Sequence, residues 1–124
     1  MRILFSISSI VYIFCIFFFA DSSVVSTLST FNPYSILHIP LYGILTFLLI
    51  FSFVPMTRLP NYLITRLLVV GFITLIVAFA DEIHQAYVPG RDASITDVLL
   101  DLVGIILVLF FFFRLLKTKT SLIR

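Results

Sequence analysis

Charged side chains are scarce in this sequence of 124 residues, and that scarcity excludes most classes of soluble protein. Asp, Glu, Lys and Arg make up 11% of the residues and hydrophobic side chains 61%, and the mean hydropathy is +1.23. Soluble domains carry about 25% charged and about 45–50% apolar residues. A soluble domain of this length cannot bury so much apolar surface, so the composition predicts an integral membrane protein.

Cysteine is almost absent as well, since Cys15 is the only one, and this excludes an internal disulfide. The net charge is +2, but the basic residues form no run with interleaved aromatic side chains. A nucleic-acid partner is therefore not expected. The sequence also lacks an internal repeat and a second domain, so residues 1–124 are predicted to form a single all-α transmembrane domain.

Four apolar stretches are predicted to cross the membrane as a helix bundle, at about residues 3–20, 33–54, 62–82 and 95–113. The first follows Arg2 and is longer than the ~7–15 residue core of a signal peptide, so it is expected to be a retained anchor. Asn32 and Pro33 are residue types typical of a helix start. Pro40, inside the second helix, predicts a kink near residues 36–40.

The basic residues predict the orientation of this bundle. Arg2, Arg58, Arg66 and the C-terminal tail fall on one side of a four-span topology, and Arg91 falls on the other. Cytoplasmic flanks of membrane helices are enriched in Lys and Arg. Both termini are therefore predicted to be cytoplasmic, and the loop at residues 83–94 is predicted to be extracytoplasmic.

Ionisable side chains near the outer ends of the spans are predicted to share one outward-opening pocket. An ionisable group at the bilayer centre costs about 2.5–3.5 kcal/mol, so such groups should face one another or water. His38 follows the Asn32 cap by six residues and Asp101 follows the Ser94 cap by seven. At ~1.5 Å per residue, both lie about 9–10 Å below their caps. The candidate binding residues are His38, Tyr42, Asp81, Glu82, His84, Gln85, Arg91, Ser94, Asp97 and Asp101.

Helical spacing supports this pocket on three helices. His38 and Tyr42 are spaced i, i+4. Asp81, His84 and Gln85 share a face if the third helix continues that far. The fourth helix carries a polar stripe formed by Ser94, Asp97, Asp101 and Gly104. Ser94 is predicted as the N-cap, with Asp97 near the positive end of the helix dipole, and Gly104 permits close helix packing.

Two chemical interpretations of the pocket involve a reaction or an ion. A divalent metal site can use His38, His84, Glu82, Asp97 or Asp101, because imidazole and carboxylate suit zinc or manganese. A catalytic acid/base pair can use His38 or His84 with an Asp that orients it, acting on a headgroup or a lipid-linked substrate. The catalytic candidates are His38, His84 and Asp101, and no nucleophile elbow or phosphate loop accompanies them.

A third interpretation is a structural and recognition network. In it, Arg91 pairs with Asp92 or Glu82, and the acids embedded in the helices are neutralised by His or by hydrogen bonds. Asp101 is the acid that a structural role explains least well, because it lies well inside an otherwise apolar helix.

The string DEIHQAYVPGRDASITDVLLDLVG at residues 81–104 resembles the signature of the VanZ-like family of bacterial membrane proteins. Leu37-His38, followed one turn later by Tyr42-Gly43, and the four-span layout are also similar to that family. The family often has another glycine four residues after Gly104, where this chain has Val108. The motif positions carried over are His38, Asp81, Glu82, His84, Gln85, Pro89, Gly90, Arg91, Ser94, Asp97, Asp101 and Gly104.

The resemblance implies a multi-pass protein of the bacterial cell membrane that acts on cell-envelope material, in a family linked to resistance to the glycopeptide teicoplanin. It implies no particular reaction or cofactor. The expected partners are membrane lipids and a lipid-linked cell-wall precursor or a glycopeptide, and a homo-oligomer would complete a thin bundle. A non-enzymatic role is the first hypothesis, with a membrane enzyme as the alternative. A small transporter is third, because no acid or His lies in the inner half of any predicted span.

Overall fold

The computed structural model describes residues 1–20, 36–55, 62–89 and 93–121. These residues form helices and no strand, as the composition predicted. The helices are α1 (Arg2–Ala20), α2 (His38–Phe53), α3 (Leu63–Gln85) and α4 (Ile95–Ser121). Helices are the expected outcome for such apolar segments, because in lipid every backbone N–H and C=O must be paired within the chain.

Three of the helices are long and apolar enough to cross a membrane, namely Arg2–Ala20, Leu63–Gln85 and, within α4, Ile95–Thr118. At 16 residues, α2 is a shorter apolar helix. Its predicted start at Pro33 lies outside the described residues, and the described chain enters α2 through a 3₁₀ turn at residues 36–37.

Within the described residues, the predicted kink at Pro40 falls at the beginning of α2 and not inside a longer helix. Pro40 is the third residue of α2, and N–H groups in the first turn of a helix have no intrahelical acceptor. The proline therefore costs no helical hydrogen bond there, and it marks the beginning of α2.

Two helices run further than predicted. The C-terminal end of α3 is Gln85, so Asp81 and Glu82 are helical, as a continuation of the third helix through its acidic end predicted. The predicted end of the fourth helix at Phe113 is too early, since α4 continues to Ser121. The apolar run stops near Phe113, but Arg and Lys are good helix formers and are favoured near the C-terminal end of the helix dipole.

Consecutive helices alternate in direction, and α2 lies in the middle in contact with all the others. On α1, Arg2 donates from Nε to the Ser52 carbonyl at the far end of α2, and Tyr12 donates to the Leu41 carbonyl near its start. The core between the helices is apolar and includes Leu45, Ile50, Val70, Ile105 and Phe112. This arrangement brings the start of α2, the end of α3 and the start of α4 together at one end of the bundle.

A glycine sets the distance between α2 and α4. A Cβ atom on Gly104 would overlap the Ile39 carbonyl group in the first turn of α2. One turn deeper, a Cβ on Gly43 would lie 3.5 Å from the Val108 side chain, which is ordinary contact. The Val108 side chain is therefore accommodated because Gly43 faces it.

Candidate functional site

The centre of the polar end is a pair formed by His38 of α2 and Asp101 of α4. His38 Nδ1 lies 2.9 Å from Asp101 Oδ1. The two residues are 3% and 0% exposed, respectively. The expected meeting of the two side chains is observed, although α2 begins at His38 in the described residues, so the count from Asn32 does not explain it. The Gly104 contact one turn below explains how the two backbones come close enough.

The other ring nitrogen of His38 faces a second group of carboxylates. His38 Nε2 lies 3.7 Å from Asp97 Oδ2. One potential ligand atom from each of His38, Glu82 and Asp97 lies within 4.8 Å of the other two. Glu82 is 5% exposed and Asp97 is 8% exposed, so all three side chains converge in a buried space.

A second hydrogen-bonded group surrounds Asp81 of α3. Tyr42 donates its hydroxyl to Asp81 Oδ2 at 3.1 Å, and Gln85 donates from Nε2 to the same oxygen at 2.9 Å. The rings of Tyr42 and His38 lie parallel, with centroids 6.4 Å apart. The predicted shared face of His38 and Tyr42 therefore connects the two groups.

Ser94 ties the beginning of α4 to the end of α3. Its side chain accepts a hydrogen bond from the Thr96 N–H at 3.2 Å, so the predicted N-cap is confirmed. Its own N–H donates to Glu82 Oε2 at 2.8 Å. The helix start therefore holds the Glu82 carboxylate beside Asp97, which lies in the first turn of α4.

Several carboxylate oxygens at this site are buried and remain unpaired within the described part of the chain. They are Glu82 Oε1, Asp97 Oδ1 and Asp101 Oδ2. A buried carboxylate oxygen without a donor loses its hydration without compensation, which costs about 1–3 kcal/mol or more. The arrangement therefore has capacity for a further donor or cation.

The described basic side chains lie elsewhere. Arg2 and Arg66 donate to carbonyls of Ser52 and Phe53, at the opposite end of α2. Arg114 lies over the Phe110 ring, and at ~1.5 Å per residue it is about 20 Å along α4 from Asp101. The predicted partner Arg91 lies outside the described residues, as does Asp92.

An open groove between α3 and α4 begins at the edge of this polar group. Its volume is about 280 Å³, and Glu82 and Ser94 form its polar part. Apolar side chains form the walls, including Phe79, Ile83 and Val98. Ile83 and Phe79 are exposed on the outer surface of the bundle, so the groove opens sideways, toward the surroundings of the helices.

A profile of the VanZ/LLP1 family matches residues 5–117 of the chain. The chain belongs to the VanZ/LLP1 family. The match extends from α1 through α4 and confirms the resemblance drawn from residues 81–104. Neither a protein of curated function nor a solved structure matches the chain.

Not every VanZ/LLP1 motif position points into the centre of the site. The ring of His84 packs against Phe17 of α1, with centroids 5.4 Å apart, and His84 is not part of the cluster formed by His38, Glu82 and Asp97. Pro89 is exposed beyond the end of α3. Gly90 and Arg91 lie outside the described residues.

The lateral groove of this VanZ/LLP1 chain was not among the features expected from its sequence. Its walls are Ile, Val and Phe residues, which any membrane helix carries in abundance. The available signal was positional, because Phe79, Ile83 and Ala86 are spaced i, i+4, i+7 along the helix that also carries Glu82.

Proposed function

We propose that the chain is a four-span membrane protein with cytoplasmic termini, whose polar pocket opens at the extracytoplasmic face of a bacterial cell membrane. The long apolar helices supply three spans, and α2 in their midst supplies the fourth. Support for the orientation comes from Arg2, Arg66, Arg114 and Lys117, which lie on the parts of α1, α3 and α4 away from the acidic cluster. Positive residues favour the cytoplasmic side.

In this proposal the protein binds envelope material whose polar head enters the pocket and whose apolar chain lies in the groove between α3 and α4. The groove is the main support for this proposal, because its walls are apolar and open sideways while the buried residue Glu82 lines one part of it. Sites for small molecules typically combine apolar walls with a few well-placed polar groups. A lipid-linked cell-wall precursor has both parts, and altering access to such a precursor is how the chain would act in glycopeptide resistance.

The groove can be tested by filling it. Ala86 lines it, and we expect Ala86→Trp to reduce the envelope lipid that co-purifies from bacterial membranes in mild detergent at least tenfold, because the indole occupies the space of the chain. Mass spectrometry of the extracted lipids, including lipid-linked precursors, provides the measurement. Teicoplanin susceptibility of cells expressing each variant would show whether the same loss has a consequence for the envelope.

The matched control is a second groove between the same helices. It has a volume of about 360 Å³ and is lined only by apolar residues, among them Leu67, Leu68, Ile106 and Phe110. Leu68→Trp should leave the bound envelope lipid unchanged, because no polar group there can hold a headgroup. Equal lipid content in the two tryptophan variants would overturn the proposed site.

An enzymatic version is favoured by one observation, the hydrogen bond between His38 and Asp101. A carboxylate that holds one ring nitrogen orients the other for general acid/base work. This version requires that His38→Ala abolish conversion of an envelope lipid in protein that still inserts and folds. The binding version requires that His38→Ala change the amount of bound lipid, and that the wild-type protein show no lipid conversion.

A further inference from the structure

We propose that His38 Nε2 and the carboxylates of Glu82 and Asp97 form a site for one divalent transition-metal ion, zinc or manganese, with Asp101 as the residue that positions the imidazole. The site goes beyond the binding of envelope material, and it stands whether or not the groove holds a lipid.

The first step of the argument is the orientation of His38. Its Nδ1 lies 2.9 Å from Asp101 Oδ1, so in the neutral imidazole the Nδ1 proton is donated to Asp101. The lone pair is then on Nε2, which faces Asp97. Histidines that bind metals nearly always donate their other ring N–H to a carboxylate, a carbonyl or water, and this fixes the tautomer.

The second step is the spacing of the potential ligands. Atoms bound to one zinc ion at about 2.1 Å lie roughly 3–4 Å from one another. The distance of 3.7 Å from His38 Nε2 to Asp97 Oδ2 falls in that range. The potential ligand atoms of His38, Glu82 and Asp97 lie within 4.8 Å of one another, so small side-chain movements would bring all three to one ion. The same 3.7 Å distance is too long for a hydrogen bond between these two atoms.

The third step is the charge and hydrogen bonding of the carboxylates. Glu82 is 5% exposed and the Asp97 side chain is 12% exposed, and each has an oxygen without a hydrogen-bond partner in the described ranges. A protonated His38 would carry one positive charge against the three carboxylates of Glu82, Asp97 and Asp101. A divalent ion neutralises more of this negative charge and binds the carboxylate oxygens that have no hydrogen-bond donor.

The fourth step concerns how the ligands are held. Glu82 is fixed by the Ser94 N–H at the start of α4, and Asp97 lies in the first turn of the same helix. His38 lies in the first turn of α2. The ligands therefore come from three helix ends that pack together, and one imidazole nitrogen with two carboxylates is a donor set that suits zinc or manganese.

The test uses the full chain, purified in detergent with an affinity tag that contains no histidine. After incubation with Zn²⁺ or Mn²⁺ and desalting, elemental analysis should find one ion per chain, and calorimetry should give its affinity. Glu82→Gln and Asp97→Asn should each weaken binding at least a hundredfold. Asp101→Asn should weaken it about 10–100-fold while keeping the one-to-one stoichiometry, as expected for a positioning residue.

The matched control is Thr74→Val, which alters a fully buried polar side chain on α3 that bonds to its own helix and should leave metal affinity unchanged. If a ligand variant fails to fold, Co²⁺ substituted into the wild-type protein still tests the site, because its visible absorption reports a nitrogen and oxygen ligand set. Absence of a bound ion in the wild type, or wild-type metal affinity in Glu82→Gln and Asp97→Asn, would overturn the proposal.

Discussion

At the scale of single residues, Asp101 shows how a carboxylate is tolerated within an apolar helix. It is fully buried in α4, where its hydrogen bond to His38 and the close approach of α2 shield it from lipid. Asp81 is held in a comparable way by Tyr42 and Gln85. Asp101 and Asp81 thus each have a hydrogen-bond partner on a neighbouring turn or helix, which makes this part of the polar end an ordered part of the core.

The hydroxyl of Tyr42 offers a test of that order. We expect Tyr42→Phe to lower the free energy of unfolding by about 1–2 kcal/mol, because the Asp81 carboxylate loses a donor in a buried setting. Thermal or SDS-induced unfolding in detergent would measure the change. Tyr12→Phe is the control, since Tyr12 donates only to a backbone carbonyl and is partly buried, and its loss should cost less. An equal cost for both would show that the carboxylate does not depend on Tyr42.

Part of the site could be predicted from the sequence at this scale, because ionisable side chains in apolar helices must face one another. His38 and Asp101 are in contact as expected, but α2 begins at His38 in the described residues, so the count from Asn32 does not set their common depth. Helical spacing does not predict how α3 is rotated about its own axis relative to its neighbours. This rotation determines that Glu82 lies beside His38 while His84 packs on Phe17.

At the scale of elements, the crossing of α2 and α4 depends on one position without a side chain. The Ile39 carbonyl occupies the space where a Cβ of residue 104 would be, and this contact lies directly below the His38 and Asp101 pair. Because the obstacle is backbone, it cannot rotate away. The two helices would have to separate, and the distance between imidazole and carboxylate would grow with them.

We therefore expect Gly104→Ala to destabilise the protein by about 2 kcal/mol or more, through overpacking of the helix interface. Gly43→Ala, one turn deeper on the facing helix, should change stability by less than about 1 kcal/mol, because its Cβ meets Val108 at ordinary contact and alanine favours the helix. Unfolding midpoints of both variants in one detergent supply the comparison. Gly104→Ala with wild-type stability would refute the close crossing.

Element boundaries were the least predictable part of the fold. A helix that starts at Pro33 predicts a bend at Pro40, whereas in the described residues α2 begins at His38. Loss of hydrophobicity suggested an end at Phe113, whereas α4 continues through Arg114 and Lys117. The hydropathy pattern marks the end of the apolar segment, whereas the helical backbone can continue beyond that segment, as it does in α4.

At the scale of the whole molecule, the chain is polarised along the helix axes. Carboxylates and His38 gather at one end, and the described basic side chains lie toward the other. The positive-inside preference favours the orientation in which the basic end of such a chain faces the cytoplasm. The proposed orientation follows from this separation of charge.

Single-cysteine labelling tests the orientation. In a Cys15→Ser background, we expect Tyr87→Cys to react with a membrane-impermeant maleimide on intact cells, because Tyr87 is highly exposed beside the acidic end. Lys117→Cys, on the basic end, should react only after the cells are permeabilised. The reverse pattern would place the pocket in the cytoplasm and remove the basis for action on the outer leaflet.

The short length of α2 has a consequence for anything that reaches the pocket. Arg2 and Arg66 fasten the C-terminal end of α2 at the basic side, and a helix of this length rises about 24 Å, less than the ~30 Å of a hydrocarbon core. In the proposed topology, His38 at the opposite end of α2 would lie several ångströms below the level of the lipid phosphates. A ligand would then have to pass the headgroups of the neighbouring lipids to contact the site.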